Sequence, residues 1–182
     1  MRTKKLFYYS IIVASFWACS NNDRPERDGN YTDQASTLYT KVPSSQSGIR
    51  FRNMIQEDLQ FNFLNYPYIY TGGGVAVGDI DNDGLADIYL VSNMGANKLY
   101  SNRGNLTFED ITSRSGAEDY TGFATGVMMF YVNNDGWLDI YLSKAGSIGD
   151  DEGRRNKLFV NKGDGTFSEE AAQWGIDLSL IH

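Results

Sequence analysis

The chain has little of what most active sites are built from. It has one histidine, His182, and one cysteine, Cys19, in 182 residues. Nucleophilic triads need a base, most often histidine, so a lone His182 effectively excludes Ser-His-Asp and Cys-His sites, and any two-histidine metal site outright. A single cysteine allows no disulfide within the chain. Basic residues are also scarce, 16 against 23 acidic, for a net charge of −7. Nucleic-acid affinity rests on Lys and Arg neutralising phosphates, so this balance argues against such a partner. The apolar run Leu6–Ala18 is too short for a membrane span, which takes about 20 residues. Gly72-Gly73-Gly74 has no Gly-Lys-Ser/Thr after it, so it is no phosphate loop. It suits close packing of backbones instead. A non-enzyme is expected.

What the chain does have is glycine, tyrosine and a patterned set of aspartates. Nineteen glycines and twelve tyrosines fit turn-rich β structure better than helices. Residues 79–87 read Asp79-Ile-Asp81-Asn-Asp83-Gly84-Leu85-Ala-Asp87. Four carboxylates at loop positions 1, 3, 5 and 9 repel one another unless a cation is present. A hard cation such as Ca²⁺ takes six to eight oxygens, and this spacing supplies them from Asp79, Asp81, Asp83 and Asp87, with the Leu85 carbonyl as one more. Gly84 permits the sharp turn at position 6. An EF-hand closes with Glu at position 12; Leu90 stands there, and the flanks read as strands. The alternative is a solvated acidic hairpin turn, since Asn-Asp-Gly alone is common turn chemistry. Paired carboxylates can also serve a glycosidase, but these are locked in the calcium-type spacing.

The motif belongs to a repeat. Residues 74–90, GVAVGDIDNDGLADIYL, align without a gap on 126–142, GVMMFYVNNDGWLDIYL, at an offset of 52. After an insertion in Ser147–Arg155 the match resumes at an offset of 59, where Asn97-Lys-Leu-Tyr-Ser-Asn102 meets Asn156-Lys-Leu-Phe-Val-Asn161. Strands are expected near 74–79, 86–92, 97–102 and 106–111. Four antiparallel strands in some fifty residues, repeated, mark a propeller blade. The expected fold is all-β, with about two four-stranded antiparallel blades of an incomplete β-propeller. The second loop has Tyr131 in place of Asp79 and Asn133 in place of Asp81. Asn133, Asp135, the Trp137 carbonyl and Asp139 remain. Charge count helps set calcium affinity, so this loop is either a weak site or only a turn.

Together with Asn97-Lys-Leu-Tyr-Ser-Asn102 and Gly163-Asp-Gly-Thr-Phe167, the aspartate hairpin resembles FG-GAP/VCBS repeat proteins, which are similar to integrin α-subunit propeller blades. Gly72-Gly-Gly-Val-Ala-Val-Gly-Asp79 with Phe108-Glu-Asp-Ile-Thr112 looks most like the cartilage-acidic-protein-like branch that carries ASPIC/UnbV domains. The resemblance covers about residues 35–177. It implies a seven-bladed propeller with calcium in its loops, used for adhesion or recognition. Two blades and no ASPIC/UnbV segment imply a truncated bacterial member.

Met1-Arg-Thr-Lys-Lys followed by Leu6–Ala18 reads as a signal peptide over 1–18. Cys19 behind Ala18 resembles a lipobox, where the thiol is lipidated; Phe16 and Trp17 depart from the usual residues there. An ordinary signal peptide with an incidental cysteine is the alternative. Residues 19–36 then form a flexible tether, 37–71 the leading strands, 72–119 and 120–177 the two blades, and 178–182 a tail. Tyr66-Pro67-Tyr68-Ile69-Tyr70 is expected as a strand packing on a neighbouring blade, with a surface patch for a sugar or partner as the alternative, and Trp137 and Trp174 as core or inter-blade packing. The resulting expectation is an outer-membrane lipoprotein, facing the periplasm or the cell surface, held by its lipid and binding a protein or glycan. The remaining blades or self-association would satisfy its open sheets. Alternatives are a non-functional fragment with a structural calcium site, or an accessory module of exported polysaccharide processing.

Overall fold

The computed structural model describes residues 38–145 and 152–178. The chain divides into Met1–Thr40 and Lys41–His182. The first unit is described only at residues 38–40, and Cys19, the signal and the tether lie outside the described residues. Two four-stranded antiparallel sheets make up the second unit. The first sheet holds β1 (Val75–Gly78), β2 (Asp87–Leu90), β3 (Lys98–Asn102) and β4 (Phe108–Asp110). The second holds β5 (Ala124–Phe130), β6 (Asp139–Lys144), β7 (Lys157–Asn161) and β8 (Phe167–Glu169). Each sheet runs in chain order, as a meander does. Register repeats with the sequence: Val75 pairs with Leu90 and Val127 with Leu142, Tyr100 with Asp110 and Phe159 with Glu169.

The sheets stack face to face with β1 against β5. Strand alternation dictates which residues meet. Ala76, Tyr89, Val91 and Leu99 point from the first sheet into a core shared with Ile140, Leu142, Phe159 and Phe167 of the second. Tyr89, Leu99, Ile140 and Leu142 are fully buried; burial of such side chains contributes roughly 1.5–3 kcal/mol each. Gly74 is required by this contact, because a Cβ there would lie 2.9 Å from the Val127 nitrogen and 3.0 Å from the Gly126 Cα. Polar bridges cross the same seam. Asn161 Nδ2 donates to the Ile80 carbonyl at 2.8 Å and to the Leu138 carbonyl at 3.1 Å. Asn93 Nδ2 donates to the Ala124 carbonyl at 2.8 Å. Lys144 Nζ, wholly buried, pairs with Asp119 at 2.8 Å and bonds Thr121 at 2.6 Å.

Three expectations need correction. No strand occurs among the described residues of 37–71. The segment has one short helix, α1 (Ser44–Ser47), and a series of turns. Asp58, Asn62 and Asn65 bond nearby backbone there, including Asp58 Oδ1 accepting from Phe61 N at 2.6 Å. Such local bonds compete with a sheet ladder. Within the turns Ile69 is fully buried, while Tyr68 and Tyr70 are exposed; Tyr66 stacks on Phe61. Trp174 is likewise exposed, its indole donating to Glu170 at 3.2 Å. It sits on α3 (Ala171–Trp174), which with α2 (Thr112–Ser115) closes each sheet by one helical turn. Trp137 packs against Gly163 as expected of a packing residue.

The cross-sheet amide gives a stability prediction. Asn161→Ala leaves the buried Ile80 carbonyl without its donor and should cost about 1–3 kcal/mol. The side-chain amide of Asn102, the same position in the first sheet, donates to the Ala86 carbonyl within its own half of the structure, so Asn102→Ala should cost less. Urea unfolding of both variants checks the order; equal losses would deny Asn161 its bridging role.

Candidate metal centre

The first loop connects β1 to β2, and its backbone is set by Asn82 at φ 57° and Gly84 at φ 85°. Asparagine and glycine are the residues that accept this left-handed region most readily. The turn curls around the Asp79 carboxylate, which accepts from Asp83 N at 3.1 Å and Gly84 N at 2.9 Å. At the far end Asp87 is buried and accepts from Ile80 N at 2.9 Å and from Asn102 N on β3 at 2.8 Å. Between them Asp81 has one carboxylate oxygen, Oδ1, buried with no hydrogen-bond partner.

Asp79, Asp81 and Asp87 each bring one oxygen to within 4.8 Å of the others, the group of this kind found among the described residues. Asp83 stands outside it. Its Oδ1 accepts from Leu85 N at 2.8 Å and so braces the turn. Burial pushes the Asp81 carboxyl above its usual range, and the Asp83 and Asp79 charges push it further. Burial likewise raises Asp87; the Ile80 and Asn102 amides oppose this, and the Asp81 and Asp83 charges add to it. Three gathered carboxylates, an orphaned oxygen and upward-shifted acids form a site short of positive charge. All ligand atoms are hard oxygens, the donor class of Ca²⁺ rather than of thiophilic or imidazole-seeking metals. The residues present fit a calcium ion.

The second loop keeps the frame and loses the charge. Asn134 and Gly136 repeat the left-handed pair at φ 58° and 89°. Asp139 repeats Asp87, accepting from Val132 N at 2.8 Å and Asn161 N at 2.9 Å. Burial raises its carboxyl too. Where the first loop has its carboxylates, however, Asn133 and Asp135 satisfy each other, with Asn133 Nδ2 donating to Asp135 Oδ2 at 2.8 Å. Asp135 Oδ1 accepts from Trp137 N, and Tyr131 is exposed to solvent. The two loops touch where Asn82 Nδ2 donates to the Gly136 carbonyl at 3.2 Å.

Sequence reasoning missed a groove of about 300 Å³ beside Asp81, walled by Ser101, Arg103, Arg114, Asp164 and Phe167 from both sheets. Its arginines are braced by Glu109 at 2.6 Å each. No local signal marks it, because its walls meet only once the sheets stack.

Comparison with known proteins agrees with this geometry. Over 72 residues the chain is 43% identical to cartilage acidic protein 1 of Xenopus tropicalis, and 40% identical to that of Homo sapiens. The match covers 39% of this chain and 11% of each relative, so the chain corresponds to about a tenth of those proteins' length. The family model for the FG-GAP-like repeat matches residues 79–142. The matched stretch runs from the first aspartate loop through the second and into β6.

Proposed function

We propose that this chain is a calcium-dependent recognition module, exported and held at a membrane surface by a lipid on Cys19. The observation that carries the calcium reading is the Asp79–Asp81–Asp87 group with its partnerless Asp81 oxygen. A cation there would offset the repulsion among these acids and stiffen the β1–β2 connection. Asp79 and Asp87 are already held by backbone amides, so binding orders few further atoms. Recognition rather than catalysis is favoured because the chain has one histidine and its acids are held by this loop. The binding surface would be the loop end of the stacked sheets, where the aspartate hairpin and the groove beside Asp81 adjoin. Its ligand class is a protein or a glycan. An outer-membrane address follows if Cys19 is acylated; the basic start and the thirteen-residue run Leu6–Ala18 support that.

Calorimetry tests the metal. The unsubstituted protein should bind calcium with an affinity on the order of 10⁻⁴–10⁻³ M, the range of extracellular modules. Asp81→Asn should abolish the heat, whereas Asp135→Ala should leave it unchanged. Equal heats for Asp81→Asn and the unsubstituted protein would refute the assignment.

Mass spectrometry of membrane-extracted protein tests the anchor. An acylated N-terminal Cys19 is expected. An unmodified terminus at any other cleavage point would contradict it.

A further inference from the structure

We propose that copies of this chain associate head to tail, the outward face of the second sheet docking on the outward face of the first sheet of another copy. The contact between the two sheets within the chain is the template. There, small residues on the first sheet receive large ones from the second. A Cβ on Gly78 would lie 2.8 Å from Leu138 Cδ1 and 3.0 Å from Met129 Sδ. Gly78 and Ala76 are thus the hollow, and Met129 and Leu138 the knobs.

The offset of 52 places the outward residues in the same frame with the sizes exchanged. Gly78 and Ala76 become Phe130 and Met128 on the outward face of the second sheet; Met129 and Leu138 become Val77 and Ala86 on that of the first. Knobs now stand where the hollow was, and small residues where the knobs were. The first sheet of a second copy would present Val77 and Ala86 to Phe130 and Met128. Met128, Val75 and Val77 are 52%, 60% and 61% exposed.

The polar bridges follow the same frame. Inside the chain Asn161 donates to the Ile80 carbonyl and Asn82 to the Gly136 carbonyl. Across copies, Asn102 holds the position of Asn161 and Val132 that of Ile80, while Asn134 and Gly84 match Asn82 and Gly136. Asn102 donates to the Ala86 carbonyl at 2.9 Å, as Asn161 does to Leu138, and has a second amide proton to give. The outer half of the first sheet is already covered: Arg50 N donates to the Tyr100 hydroxyl, and Gly48 lies against the Phe108 carbonyl. Docking therefore uses the inner strands and the loops. Such a contact joins unlike faces, which makes it heterologous.

Sedimentation of the full chain in detergent tests this. The unsubstituted protein should associate with rising concentration. Val77→Glu and Met128→Glu should each be monomeric, since each spoils one of the two faces. Mixed together they should form a one-to-one dimer, because the sound outward face of one meets the sound face of the other. Val75→Glu replaces Val77→Glu should the latter alter the far-UV spectrum. A monomeric unsubstituted protein, a single variant that still associates, or a mixture that stays monomeric would overturn the proposal.

Discussion

Each sheet hangs on one buried carboxylate. Asp87 and Asp139 close the β1–β2 and β5–β6 loops onto the third strand of their sheets, each oxygen taking one backbone N–H. Without that double acceptor two amides in each sheet would lose their partner, at about 1–3 kcal/mol for every buried group left unsatisfied. Burial raises the pKa of both acids, and the backbone amides that bond them oppose that shift. The neighbouring Asn102 and Asn161 side chains then turn back to the loop carbonyls. Loop, second strand and third strand become one unit before any metal is considered.

That arrangement separates shape from charge. The two loops share a left-handed asparagine, a left-handed glycine and the buried ninth aspartate. They differ at the first and third positions, where Asp79 and Asp81 face Tyr131 and Asn133. The first loop thus keeps an acid group with an orphaned oxygen, and the second closes on itself through Asn133 and Asp135. The second loop keeps the hairpin with fewer carboxylates, and the Asn82–Gly136 bond lets it brace the first.

The sequence showed the sheets well because its repeat carried both period and punctuation. Strands expected at 86–92 and 97–102 occur as Asp87–Leu90 and Lys98–Asn102, bounded by the same glycine and asparagine turns. Helical turns such as Thr112–Ser115 were invisible, since four residues are too few for a helical period. Residues 41–71 misled because tyrosine-rich, β-prone stretches there are overridden by Asx bonds and by Pro43 and Pro67. The odd position of Asp83 places it with the ligands; its Oδ1 accepts from Leu85 N and it stands outside the gathered group of three. The Lys144–Asp119 pair joins β6 to the connection before β5, and the groove beside Asp81 joins residues from both sheets, so no single-segment pattern reveals them.

The central claim is one cation site, at the first loop, on a frame that both loops share. Equilibrium dialysis against radioactive calcium counts it directly. One ion per chain at saturation is the predicted result. Two ions would show that the second loop still binds, and none would show that the gathered aspartates of the first loop serve only the turn.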